Sequence, residues 1–196
     1  ARRRASTVII RSRDNPHIKY VRSLRLRAQR EAERAFVVEG RFAVADAVEA
    51  GGVVRHVFMA EGISIPDWVV WSQLHLVDAK LFHEIAETST PQGILAVFER
   101  PLLPIPDRAN PLYLILDAIS DPGNLGTIIR TGAAAGVDAL FLGRGGVDFM
   151  NGKVVRAAMG AHFRLPIAPF DEAARTLIAE RCPLRVMSDG YAQTWH

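Results

Sequence analysis

The segment PLLPIPDRANP, residues 101–111, holds four prolines in eleven positions. Proline fixes φ and lacks an N–H, so such a stretch is excluded from helix interiors and central strands. It reads as a linker and divides the chain into two runs of apolar segments. Before it, AFVVEG has the pattern of a short buried strand closed by glycine, and RFAVADAVEAGG that of a helix with a double-glycine stop. VRHVFMA and GILAVFER read as further strands, DWVVWSQLHLVD as another strand or a strand after a short helix, and DAKLFHEIAETS as a helix capped by Asp78. After the prolines, LYLILD has the apolar, β-rich character of a central parallel strand. AISDPG reads as a loop, Asn124 as the cap of a helix from Leu125 to about Ala135, and Gly136 as its end. DALFLG, RLPIA and LRVMSDG continue as strands, with KVVRAAMGAH as a helix or helical turn and DEAARTLIAER as a helix between them. The expected fold class is therefore α/β, in two units.

Charge separates the ends of this chain. Residues 1–34 carry eleven Lys/Arg against three Asp/Glu, a net of +8, and the rest carries thirteen against eighteen, a net of −5. A basic arm on a mildly acidic body points to a polyanion partner such as RNA or DNA, or else to a solvated terminus. DNPHIKYVRSLRLRAQREAERA reads as one helix, with Asp14 or Asn15 as cap and Pro16 in the first turn. At 100° per residue, Tyr20, Val21, Leu24 and Ala28 gather on one side, and Lys19, Arg22, Arg27 and Arg30 on another. Phosphate contacts from the basic side would give affinity and register without reading sequence. No window of eighteen uninterrupted apolar residues occurs, so no membrane span is expected. One cysteine, Cys182, excludes an internal disulfide and suits a reducing, cytoplasmic setting.

The turn at Gly123–Thr127 opens a helix and offers free N–H groups to an anion, or serves as a tight strand-to-helix connection. It is neither a Walker loop nor G-x-G-x-x-G. Arg130 stands among Ile128, Ile129, Ala133, Ala134 and Ala135. A guanidinium in such company either meets an anion or reaches out to solvent. The histidines at 17, 56, 75, 83, 162 and 196 show no metal-ligand spacing, and no metal is expected.

NLGTIIRTGAAAGVDALFL resembles the first motif of the SpoU/TrmH family of RNA ribose 2′-O-methyltransferases, in the SPOUT superfamily. Its Asn-x-Gly-x-x-x-Arg pattern is filled by Asn124, Gly126 and Arg130, followed by Ala133 and Gly136. VDFMNGKVVRAAMGAHFRLPI is similar to a second family stretch, with Asn151, Lys153, Arg156 and Gly160 in place. Phe149 and Gly152 stand where the family usually has prolines. The run from NPHIKYVRSL to FVVEGRFAVADAVEAG looks like the L30e-like substrate-binding module that precedes the catalytic domain in many members.

The resemblance implies a basic arm and helix over 1–34, an L30e-like RNA-binding domain over 35–100, the linker over 101–111, and a parallel-sheet, trefoil-knot SPOUT domain from 112 to 196. The family's later motifs, a Gly-x-Glu-Gly turn and a Ser-x-Asn segment, do not occur, so the SPOUT domain is expected to be truncated at its C-terminus. The implied reaction is methyl transfer from S-adenosylmethionine to a ribose 2′-hydroxyl of structured RNA, with ribosomal RNA favoured. Arg130 and Asn124 would be the catalytic residues, Ser188 a cofactor contact, and Lys19, Arg22, Arg27, Arg30, Lys153 and Arg156 the RNA contacts. A homodimer is implied as well. A second reading stays open: a non-catalytic RNA-binding protein that keeps the fold without a complete cofactor pocket.

Overall fold

The computed structural model describes residues 8–182. Ser188 and the expected strand at LRVMSDG lie outside the described residues. The first unit runs α1 (Pro16–Ser23), α2 (Arg27–Glu33), β1 (Ala35–Glu39), α3 (Arg41–Glu49), β2 (Val54–Ala60), β3 (Leu74–Val77), α4 (Ala79–Ile85) and β4 (Ile94–Glu99). The second runs β5 (Tyr113–Leu116), α5 (Pro122–Ala134), β6 (Ala139–Leu142), α6 (Gly152–Ala158), β7 (Ile167–Pro169) and α7 (Glu172–Arg181).

The first sheet has the order β1-β4-β2-β3. Strand β4 is antiparallel to both β1 and β2, while β2 and β3 are parallel. Side chains alternate across such a sheet, and here both sides are buried. Phe58, Leu95 and Val97 face one core, closed by Ile18, Val21 and Leu24 of the N-terminal helix and by Leu81, Phe82 and Ile85 of α4. Phe36, Val57, Met59, Ala96 and Phe98 face the other, closed by Val44 and Ala47 of α3. Met150, Val155 and Phe163, from beyond the proline-rich segment, complete that second core. The linker therefore separates the units in sequence, yet they share a core.

The second sheet, β5-β6-β7, is wholly parallel, as the apolar run at LYLILD predicts. Helices α5 and α6 cover one side through Leu125, Ile129, Val154 and Ala158. Helix α7 covers the other through Ala174 and Ile178, against Ala139 and Phe141.

The single basic helix expected from Asp14 onward is two helices. Asn15 caps the first, its side chain accepting from the His17 N–H. The chain then turns at Leu24–Leu26, and α2 ends on Arg34 in the left-handed region, φ +49°. The physical reason is Arg30. Its Nη1 donates to the carbonyls of Leu24 (2.8 Å) and Arg25 (2.7 Å), satisfying groups that an unbroken helix would bond internally. Helix α5 also starts earlier than expected. Asp121 caps it by accepting from the Asn124 N–H at 2.6 Å, and Pro122 takes the first position. Asn124 thus lies inside the first turn.

Candidate active site

In open parallel sheets, ligands bind beyond the C-terminal ends of the strands. Here that edge opens into a cleft of about 480 Å³, bordered by Leu116, Leu142 and Pro169 at the ends of β5, β6 and β7. The loop after β6, Gly143 to Val147, forms one wall against Ala118 and Ile119 of the loop after β5. The two loops touch so closely that a Cβ on Gly143 would stand 2.6 Å from Asp117 Oδ1, and one on Gly146 3.1 Å from the Ile119 carbonyl. Glycine at both positions leaves backbone exposed along the wall. Ala118 holds φ +49°, a strained value for a residue with a Cβ, at the mouth of the same cleft.

Arg130 and Asn124 do not line this cleft; they lie on α5 along its contact with α6. Gly126 sets that contact, because a Cβ there would collide with Ala157 Cβ and stand 2.6 Å from the Val154 carbonyl. The glycine of the Asn-x-Gly-x-x-x-Arg pattern is thus a packing requirement between two helices. Arg130, one turn further on, is exposed, and its Nη1 lies 3.2 Å from the sulfur of Met159. Met159 ends α6 at φ +46° and is itself exposed. Among the described residues, Arg130 has neither a carboxylate nor a carbonyl partner. It reaches to solvent, which leaves its donors open to an incoming anion. The Asn124 side chain is exposed nearby on the first turn.

The basic residues separate into distinct groups. Lys19 and Arg22 are exposed on α1, with Lys19 paired to Asp14 at 2.8 Å. Arg27 is exposed at the cleft rim and pairs with Glu31 at 2.8 Å. Lys153 is exposed on the first turn of α6, and Arg156 pairs with Glu87 of the first unit at 2.8 Å. Arg30 corrects the sequence reading. It is 4% exposed, its Nε and Nη2 both lie 2.7 Å from Asp148 Oδ2, and its Nη1 holds the α1–α2 turn. A guanidinium so enclosed and paired is a structural ion, not a phosphate contact.

Sequence patterns do not single out Arg100, Arg144 or Asp148. Arg100 and Arg144 line the cleft, and Arg100 lies 4.9 Å over the Phe149 ring. Burial, with Arg34 nearby, pulls the Arg100 guanidinium below its usual range. Asp148 accepts from Arg30 and from the Met150 N–H (2.9 Å), fixing the loop between the cleft and α6. Their partners lie more than a hundred residues away in the case of Arg30 and Asp148, so no local spacing marks them. The Arg144-Gly-Gly run after an apolar strand was the available signal for the wall.

Residues 111–187 match the model of the SpoU rRNA methylase family, and residues 15–96 that of the MRM3-like substrate-binding domain. The chain is 36% identical over 159 residues to the 23S rRNA (guanosine(2553)-2′-O)-methyltransferase RlmP of Bacillus subtilis, covering 81% of this chain and 63% of that protein. An S-adenosylmethionine-bound rRNA methyltransferase from Sinorhizobium meliloti superimposes with a TM-score of 0.74 at 29% identity, over 88% of this chain and 69% of the other. A TrmH-family protein from Porphyromonas gingivalis does so at 0.68 and 34% identity, over 86% and 67%.

Proposed function

The chain belongs to the SpoU rRNA methylase family, and from that membership we propose that it transfers a methyl group from S-adenosylmethionine to a ribose 2′-hydroxyl of structured RNA, with ribosomal RNA as substrate class. The observation that carries this reading is Arg130, an arginine with open donors on a helix whose glycine packs flush on α6 and whose Leu125 lines the glycine-walled cleft. The cleft volume falls within the ~300–1,000 Å³ of small-molecule sites. Ala118, Ile119, the loop at 143–147 and Phe170, which line the cleft, would hold the cofactor. When bound, S-adenosylmethionine supplies an electrophilic methyl group on a sulfonium. A guanidinium stays charged in proteins, so Arg130 cannot act as the base, and the 2′-hydroxyl proton passes to water. It stabilises the negative charge that gathers on the ribose oxygen and holds the neighbouring phosphate. Asn124 orients the ribose beside it, and Ser188 adds a cofactor contact.

Lys19, Arg22, Arg27, Lys153 and Arg156 supply phosphate contacts in this reading, recognising RNA by shape and charge. Lys19, Arg27 and Arg156 must exchange a carboxylate partner for phosphate. In this reading the active form is a homodimer acting in the cytoplasm. Among the described residues no helix is long and apolar enough to cross a membrane.

The test is incubation with methyl-labelled S-adenosylmethionine and ribosomal RNA, followed by nucleoside mass spectrometry. A 2′-O-methylated nucleoside is expected. Arg130→Ala should slow its formation ~100–1,000-fold while RNA affinity changes only a few-fold. A rate within a few-fold of wild type would remove Arg130 from the chemistry. Tight RNA binding without cofactor binding or transfer would favour the non-catalytic reading.

A further inference from the structure

We propose that His17, His56 and His75 form a three-imidazole site for a divalent transition-metal ion of the zinc class, with water completing the shell. The three stand far apart in sequence. His56 lies on β2 and His75 on β3, two parallel neighbours in which Phe58 pairs with His75. His56 is two residues before Phe58 and so shares its face of the sheet. Helix α1 packs on that face through Ile18 and Val21, which sets His17 of its first turn above both rings.

The resulting group is compact. One ligand nitrogen from each ring lies within 4.8 Å of the other two. His56 Nδ1 and His75 Nε2 are 3.0 Å apart, sharing a hydrogen bond that a bound ion would replace. Around a tetrahedral zinc with Zn–N near 2.0–2.1 Å, adjacent nitrogens stand about 3.3 Å apart, so this pair already has nearly the spacing of two ligands on one ion. The His17 ring centre lies 4.0 Å from that of His75 and 5.3 Å from that of His56. A modest rotation of this partly exposed ring closes the third arm, while its backbone stays fixed by the Asn15 cap.

The chemistry is suited to a metal. Three neutral imidazoles with an open fourth position are a zinc ligand set, and imidazole also accepts cobalt, nickel and copper. The adjacent cation, Arg55, is balanced by Glu99 at 3.2 Å and Glu33 at 3.5 Å. A bound ion would tie the first turn of α1, and with it Lys19 and Arg22, to the edge strand of the first sheet. The site is separate from the cleft and from Arg130, so it stands or falls independently of methyl transfer.

The experiment uses the untagged full chain after chelator treatment. Titration with Zn²⁺ in a calorimeter should show one equivalent bound, and Co²⁺ should give the visible absorption of a four-coordinate nitrogen site. Thermal melting should shift upward with Zn²⁺. His17→Ala should weaken Zn²⁺ binding by more than ~10-fold and abolish the melting shift, since loss of groups that merely orient a ligand already costs about that much. Its melting without metal should match wild type, because His17 is partly exposed and outside the core. His75→Gln should abolish the cobalt spectrum. The proposal is overturned if the wild-type chain takes up no stoichiometric Zn²⁺, or if His17→Ala and His75→Gln bind it unchanged.

Discussion

The imidazole of His162 is enclosed between Phe36 and Phe149, at 2% exposure. Its Nε2 meets the Phe149 carbonyl at 2.7 Å, and its Nδ1 has no partner among the described residues. A carbonyl only accepts, so Nε2 carries the proton and Nδ1 is bare. Charging this ring would leave a buried cation, and burial accordingly holds its pKa down to about 4 against an ordinary 6.5. The unfolded chain therefore binds a proton that the folded chain refuses across that interval. Stability is full above pH 6.5 and falls as pH drops towards 4. From pH 7 to 5 the loss from this group is on the order of 2 kcal/mol, since one pKa unit corresponds to about 1.4 kcal/mol. Urea unfolding of wild type and His162→Gln at both pH values checks it. The wild-type difference between pH 7 and 5 should exceed the variant's by about that amount, with His75 contributing equally to both proteins. Equal differences would mean that His162 titrates normally in the fold.

At the scale of elements, α5 holds two buried glycines with opposite roles. Gly126 faces α6 at backbone contact, whereas a Cβ on Gly132 would find Leu165 and Val137 at 3.6 Å, an ordinary contact distance. Alanine is the better helix former by about 1 kcal/mol. Gly132→Ala should therefore raise stability by up to ~1 kcal/mol. Gly126→Ala should lower it by about 1–3 kcal/mol, because α6 must move away. It should also slow methyl transfer, since Met159 and Arg130 sit on that seam. Chemical denaturation of both variants settles the sign; a stabilising Gly126→Ala would show that the helices are not in contact there. The same helix marks how far sequence reasoning reaches. The strands of both sheets and the spacing of Asn124, Gly126 and Arg130 were legible, because apolar runs and helical periodicity are local properties. The true cap, Asp121, was legible too, in Asp-Pro, but Asn124 competed for the role. The break between α1 and α2 was not legible, because what holds it is Arg30 paired with an aspartate from the other unit. The gathering of His17, His56 and His75 was hidden for the same reason: it is set by sheet register and by helix docking.

Across the whole molecule, ion pairs of different kinds bridge the two units. Arg164 grips Asp46 through two nitrogens, and Arg156 holds Glu87, both near the surface. Arg30 and Asp148 are almost wholly enclosed, with side chains 5% and 7% exposed. Exposed pairs contribute ~0–1 kcal/mol, whereas removing one partner of an enclosed pair costs about 3–5 kcal/mol, because the other charge is stranded. Asp46→Ala should therefore shift the unfolding midpoint only slightly, and Arg30→Ala should shift it strongly. The shared core strengthens the expectation. Met150, Val155 and Phe163 close one face of the first sheet, so neither unit buries its apolar surface alone. The two should unfold in a single transition, and Arg30→Ala should move that transition as a whole. In a background carrying Tyr20→Phe, Tyr191→Phe and Trp195→Phe, Trp68 and Trp71 report on the first unit, and Tyr113, packed edge-on against Phe141, on the second. Following both signals through one denaturant titration is decisive. Coincident curves displaced together by Arg30→Ala would establish that this arginine couples the units. Separate curves, or a shift confined to the tryptophan signal, would mean that the buried pair serves only the α1–α2 turn.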